Sequence, residues 1–379
     1  MLVQQTVVTR LDAATLIPLA EIAPNLVLVF AAPRFFTDPD FVRQLSAAFP
    51  GARRVAVSTA GEISSKGVSE DSAVISAIRF EQTPFRIAST AIAGMEDSFG
   101  AGQRLAGQLQ APDLKAVILL SQGVAVNGSE VIGGVVSVLG KQIPLTGGLA
   151  GDNGAFTRTW TLLDDVVSDT MMLAIGLYGD ALNFAHGSFG GWQSFGPARR
   201  ATKAVGNVLF ELDGEPALEI YRRYLGEYAK DLPASGLLFP FAILADDRQE
   251  TGLIRTLLGI DESQGSLTLA GDSPSGGYLK LMHASTEALV DGAEAAAEAA
   301  RSMLDAEGAG LALLVSCIGR KLVMGDRVDE EVEVVGAVFG QRCMLTGFYS
   351  NGEISPFIET TECKLHNQTM TITYLSEKG

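Results

Sequence analysis

Three stretches of the chain are apolar without alternation: NLVLVFAAP (25–33), KAVILLSQG (115–123) and GLALLVSCIGR (310–320). Runs of this length, bounded by small and polar residues, predict strands buried on both faces. Each is followed by apolar residues at helical spacing, in DPDFVRQLSAAF, SEVIGGVVSVLG and VDEEVEVVGAVFG. Asp or Ser stands near the start of these stretches, where its side chain can cap the first turn. A second strand then runs into a polar turn: RRVAVS before TAGEIS, then QIPLTGGLAGDNGAF, then CMLTGFYSNGEISPF. The pattern predicts three βαβ elements, each ending in a glycine-containing turn.

A further strand and helix precede each of the later two elements. FRIASTAIAG leads into GAGQRLAGQLQ, and GGYLKLMHAS leads into the alanine-rich TEALVDGAEAAAEAARSMLD, a strong helix former. Both halves of the chain thus read β-α-β-α-β-turn. The expected fold is α/β, with two duplicated βαβ-rich halves, mixed sheets, and a pocket at strand ends near the junction. Glycine-dense GSFGGWQSFGPARR (187–200) marks that junction, dividing residues 1–195 from 196–379. The alternation of Thr369, Thr371 and Thr373 with Met370 and Ile372 predicts a closing strand.

Charge and cysteine usage narrow the partners. The 379 residues carry a formal net charge of −16, which opposes binding to a phosphate backbone. Cys317, Cys343 and Cys363 are too few for a disulfide framework and fit a reducing compartment. No run approaches the roughly 20 apolar residues of a membrane helix, and the N-terminus lacks a signal-peptide pattern. A cytoplasmic protein without membrane or nucleic-acid partners is expected.

The strand-ending turns are the leading candidate chemistry. They offer Ser58, Thr59, Gly61 and Glu62; Thr146, Gly147, Gly151 and Asp152; Thr346, Gly347, Gly352 and Glu353. Ligands of open α/β sheets bind at the carboxyl ends of strands, and glycine lets a backbone approach closely. Such turns can hold the amine and carboxylate of a small polar molecule. The plain alternative is that glycine makes the turn and glutamate caps a neighbouring helix.

Other chemistries have weaker support. TGGLAGDNGAF lacks the lysine of a phosphate-binding loop. Cys317 stands three residues before Arg320, whose charge favours a thiolate, yet no histidine pairing is visible. A hydrolase using Cys317 or a Glu pair is therefore a lesser alternative to a non-enzymatic binding protein. No metal motif is present, and Cys363 and His366 would point to opposite faces of a strand. A lone histidine can still ligate haem, and His366 is the candidate because its neighbours are polar.

SCIGRKLVMGDRVDEEVEVVGAVFG, LTGFYSNGEISP and CKLHNQTMTIT resemble the C-terminal half of FIST-domain proteins. GNVLFELDGEPALEIYRRYLG and LTLAGDSPSGGYLKLM match the same half, while VSTAGEIS and LTGGLAGDNGAF resemble the N-terminal half. The resemblance implies a sensory, ligand-binding role in signal transduction, with small molecules such as amino acids as ligands. One branch resembles haem-based nitric-oxide sensors that regulate a partner histidine kinase. No kinase or cyclase is fused here, so output would pass through a separate partner, and a homodimer is left open. Combined with the turns, this implies one pocket. Its charges would come from Glu62, Glu353 and Arg320. Thr59, Thr346, Ser350, Asn153 and Asn367 would supply hydrogen bonds, and Tyr349 and Phe357 the walls. Gly61, Gly347 and Gly352 would form its turns, with His366 beside them.

Overall fold

A computed structural model describes residues 1–304, 309–356 and 362–378. Each unbroken apolar run becomes a strand with both faces covered. In Leu26–Ala31, Leu26, Leu28 and Phe30 point to a central core, while Val27 and Val29 lie under helices. Strands Leu114–Ser121 and Gly310–Cys317 repeat the division. Ile118 and Leu120, with Leu311, Leu313 and Val315, join the same central core. Val117 and Leu119 pack under helices Ser98–Leu109 and Gly128–Leu139, and Ala312 and Leu314 under Thr286–Ser302. The alanine-rich composition of that last helix has a packing consequence. Ala293, Ala296, Ala297 and Ala300 form one buried face that brings its backbone close to the sheet.

The fold is α/β with mixed sheets, and the repetition legible in the sequence extends to three copies. Each copy contributes four strands to its own sheet. In the first, Leu2–Val8, Ala73–Arg79, Leu26–Ala31 and Arg53–Ser58 lie in that spatial order. In the second they are Phe85–Ala91, Met171–Tyr178, Leu114–Ser121 and Leu145–Leu149. In the third they are Leu182–Phe189, Met370–Glu377, Gly310–Cys317 and Cys343–Ser350. The two inner strands of each βαβ element are parallel and the outer pairings antiparallel.

After the fourth strand every copy sends a short hairpin into another copy's sheet. Hairpin Glu62–Ser64/Gly67–Ser69 pairs with Cys343–Ser350 of the third copy. Thr161–Leu163/Val166–Ser168 pairs with Arg53–Ser58 of the first. Gly352–Pro356/Cys363–His366 pairs with Leu145–Leu149 of the second. The exchange is therefore cyclic. The turns meet where it closes: Ala60 N–H donates to Tyr349 O at 2.8 Å, Gly151 N–H to Ser58 O at 2.8 Å, and Asn351 N–H to Leu149 O at 3.2 Å.

The third copy is interrupted. Its edge strand Leu182–Phe189 and its helix Thr286–Ser302 are separated by an antiparallel subdomain spanning 190–283. Strand Tyr278–His283 belongs to that subdomain and pairs with Gln193–Val205 and Phe241–Leu244, not with the copy whose helix follows it. This corrects the sequence reading of GGYLKLMHAS as the strand opening the last unit. The stretch 187–200 is where the chain leaves the third copy, and position 195/196 falls inside strand Gln193–Val205. The subdomain wraps helix Ala217–Leu225 around its own core of Leu209, Tyr221, Leu267 and Leu279. Asp213 and Gly214 both take positive φ, giving the hairpin turn that their sequence signals.

Gly151 stands at the closure. A Cβ there would lie 2.7 Å from Ala60 N and 2.9 Å from Tyr349 O. Gly151→Ala is expected to cost about 1–3 kcal/mol, because backbone rather than a flexible side chain must move. Chemical denaturation measures it; an unchanged midpoint would mean that the ring of turns tolerates opening.

Candidate functional site

The strand ends place Glu62 and Glu353 in equivalent positions, with equivalent partners. Glu62 accepts from Thr59 Oγ1, from Ser72 N–H at 3.0 Å and from Ser72 Oγ at 2.7 Å. Glu353 accepts from Ser350 Oγ at 2.7 Å, and from Thr369 N–H and Oγ1 at 3.2 and 3.0 Å. Both carboxyls are fully buried. Their acceptor capacity goes to the chain itself, at the residues that open strands Ala73–Arg79 and Met370–Glu377 rather than at a helix start. Asp152 of the middle copy acts similarly, accepting from the N–H groups of Phe156, Thr157 and Arg158.

Arg320 is likewise internal, which corrects its assignment to a ligand's charge. Its Nε and Nη2 donate to Glu331 Oε2 at 3.0 and 2.8 Å, and Nη2 also to Leu289 O at 2.8 Å. Tyr349 and Ser316 donate to the other oxygen of Glu331, so Tyr349 is a strut rather than a pocket wall. Neither Arg320 nor Glu331 has exposed side-chain surface. Thr346 is buried and accepts from Ser76 Oγ at 2.9 Å.

The glycines serve close contacts. A Cβ at Gly61 would sit 2.9 Å from Lys321 Nζ, one at Gly347 1.8 Å from Leu314 O, and one at Gly352 3.0 Å from a Leu149 methyl. Asn153 is exposed at φ 57°, apart from the buried carboxyls. Phe357 lies outside the described residues. The proposed lining of one pocket by all these groups is thus replaced by a sealed, self-satisfied junction.

Sequence reasoning missed Ser72, Thr369, Glu331 and Lys321. Lys321 Nζ donates to Ala60 O at 2.7 Å, pairs with Glu70 at 2.7 Å and lies 5.7 Å from the Tyr349 ring centroid. A signal for the caps was available: Thr59 and Glu62, like Ser350 and Glu353, are spaced as in a capping box.

Besides a cavity of about 760 Å³ between the first and third copies, open space lies between the 190–283 subdomain and the third copy. A cavity of about 560 Å³ is lined by Trp192, Ala242, Ile254 and Met282, with His366 and Thr369 among its polar groups. Phe189–Trp192 and Thr251–Ile254 supply its glycine-containing walls. A smaller cavity of about 90 Å³ is lined by Asn351 and Asn367, opposite Asn207 and Gly271. Asn367 is buried; its amide nitrogen donates to His366 O at 2.9 Å and its amide oxygen has no partner. The segment 363–369 is therefore where expected site residues do reach open space.

His366 offers a haem iron at most one ring nitrogen. Its Nε2 lies 2.9 Å from Ser355 O, a carbonyl that only accepts, so Nε2 carries the proton and is committed. Burial pushes the imidazole down to about 4, leaving it neutral at neutral pH. The Cys317 thiol is pushed far up by burial and then by Glu353, and no histidine acts on it. At neutral pH it is a protonated, buried thiol rather than a nucleophile. Among the described residues no cluster of three or more His, Cys, Asp or Glu is arranged for a metal, and no helix is long and apolar enough to cross a membrane.

Comparison with known proteins agrees with these sequence blocks. The FIST N domain matches residues 25–215 and the FIST C domain residues 217–356. The chain belongs to the FIST family, whose domains are recognised as sensory domains of signal transduction. An uncharacterised protein of Methanocaldococcus jannaschii is 36% identical over 99 residues; the match takes in 25% of this chain and 19% of that protein. Two cyanuric acid hydrolase structures, one from A. caulinodans, align over 100% and 99% of the chain and 99% of each of theirs. Their TM-scores are 0.38 and 0.34, at 9% and 11% identity, too distant to carry an argument about this protein.

Two outcomes follow from the sealed carboxyls. Burial, outweighing three hydrogen bonds, holds Glu353 at about 8. The folded protein then keeps this proton while the unfolded chain releases it, so stability falls as pH rises from the ordinary carboxyl range to about 8. Denaturation midpoints should fall over that window with a contribution of about 1.4 kcal/mol per pH unit. Glu353→Gln should lose that contribution; matching profiles for the two proteins would disprove it. Glu331→Ala strands the Arg320 charge and should cost about 3–5 kcal/mol by the same measurement.

Proposed function

We propose that this chain is a small-ligand sensor in the cytoplasm, binding in the 560 Å³ cavity and passing its signal to a partner. Thr369 carries the reading. It lines the cavity and also gives both of its donors to Glu353, in the turn whose Asn351 N–H closes onto the second copy. A ligand that draws on the Thr369 hydroxyl changes what holds Glu353, and so biases the junction of the three sheets. Family membership supports a sensory role, and the sealed Cys317 and glutamates favour binding over catalysis.

The lining selects the ligand. Trp192, Ile254 and Met282 suit an apolar body, and the Thr369 hydroxyl with neutral His366 suits one or two hydrogen-bonding groups. A free amino acid fits only if its side chain supplies that apolar body.

Thermal-shift screening of small metabolites should yield hits that raise the melting temperature, by about 2.7 kcal/mol of added stability at 100 times Kd. Ser188→Phe places an aromatic ring from the lining strand into the cavity and should abolish those shifts while leaving the apo protein folded. Hits that bind this variant with unchanged affinity would place the site elsewhere.

A further inference from the structure

The seam beside that cavity holds a charge without a counter-ion. Arg255, at the end of strand Glu250–Arg255, is only 6% exposed. Its Nε donates to Asp272 O at 3.1 Å, and its Nη1 to Ile254 O at 3.0 Å and Leu365 O at 3.4 Å. All three acceptors are backbone carbonyls. Among the described residues no carboxylate forms an ion pair with Arg255, and Nη2 has no hydrogen-bond partner. Arg320, the other deeply buried arginine of this region, has Glu331. Buried charges are ordinarily paired, because desolvation is otherwise uncompensated. Burial accordingly pushes the Arg255 guanidinium down to about 10, with Asp272 a weaker opposing influence.

Arg255 lines a cavity of about 310 Å³ between the subdomain and the hairpin strand Cys363–His366. Gly271 keeps the guanidinium in place: it takes φ 112°, and a Cβ there would meet Arg255 Nε at 2.9 Å. Among the described residues the charged lining comprises Arg255, Lys141 and Lys364 against Asp272 and Glu362, leaving one positive charge unbalanced. Glu362 is engaged by Lys364 at 2.8 Å and by Lys141 at 3.9 Å, while among the described residues no carboxylate lies within ion-pair distance of the Arg255 guanidinium. The geometry points to a binding site for a small monocarboxylate in this cavity, with the Arg255 guanidinium as its anchor. A single negative charge completes the balance, whereas a phosphate dianion overshoots it. Apolar Ile132, Val136 and Leu253 around the anchor accommodate a short hydrocarbon body.

Acetate is the probe, exchanged for chloride at constant ionic strength and neutral pH, with inorganic phosphate in a parallel series. Acetate should raise the melting temperature with a saturating concentration dependence, and phosphate should act more weakly. Arg255→Met should weaken acetate binding at least about tenfold. Lys141→Gln, on an exposed rim lysine that leaves the fold intact, should weaken it about threefold and decides the matter if Arg255→Met does not fold. No saturable acetate effect on the wild type, or an effect undiminished in the variants, overturns the site. A phosphate response equal to that of acetate overturns the assignment to a monocarboxylate. Ser188→Phe does not touch this cavity, so the sensor reading and the anion site fail separately.

Discussion

Three backbone hydrogen bonds at the ends of three strands hold the rest of the architecture in place. Ala60, Gly151 and Asn351 each donate to the carbonyl of another copy, at Tyr349, Ser58 and Leu149. No copy can complete its sheet alone, since its fifth and sixth strands come from a different copy. The inner faces then merge into one core, where Phe30 of the first copy stacks on Phe348 of the third at 5.0 Å. A chain assembled in this way has few independent parts. Displacing one turn affects all three sheets.

That constraint explains the buried carboxyls. Strand-to-hairpin turns expose N–H groups and bring hydroxyls together in a site that water does not reach, and each needs an acceptor. Glu62 and Glu353 supply one within four residues of their own strand ends. Their cost in desolvation shows in the raised carboxyl values, and their benefit is an acceptor for the donors of Thr59, Ser72, Ser350 and Thr369. The Gly-Glu repetition is thus architectural at its centre. Through Thr369 it has one route to open space.

The βαβ elements were legible because both faces of each central strand are buried, so the apolar runs are unbroken. Leu26–Ala31 and Gly310–Cys317 are the clearest cases. The third copy was harder to see. Its edge strand LNFAHGSF is separated from its helix by the subdomain, and periodicity carries no information about which strand pairs across an insertion of that size. The site was legible in residue type but not in direction. Thr59, Glu62, Ser350 and Glu353 were correctly grouped at strand ends, yet facing inward or outward is decided by pairing between copies. Arg255 gave no local signal at all. Only its burial against three backbone carbonyls, among them Asp272 O and Leu365 O from other segments, sets it apart.

The inserted subdomain adds room along its seam with the three copies, beyond the cavity of about 760 Å³ that the first and third copies form between them. The three copies fill their shared interior with side chains, while the subdomain meets them along a seam of glycines and small residues. Gly190, Gly191 and Gly252 border one cavity along that seam and Gly271 packs against the guanidinium beside another. Seams of this kind bury less apolar area per residue than the core, so they are where a ligand of modest size can shift an equilibrium. His366, Asn367 and Thr369 lie along the same strand end and face successive parts of it. A ligand bound there would meet one short segment whose Thr369 also donates to Glu353, in the turn that closes onto the second copy.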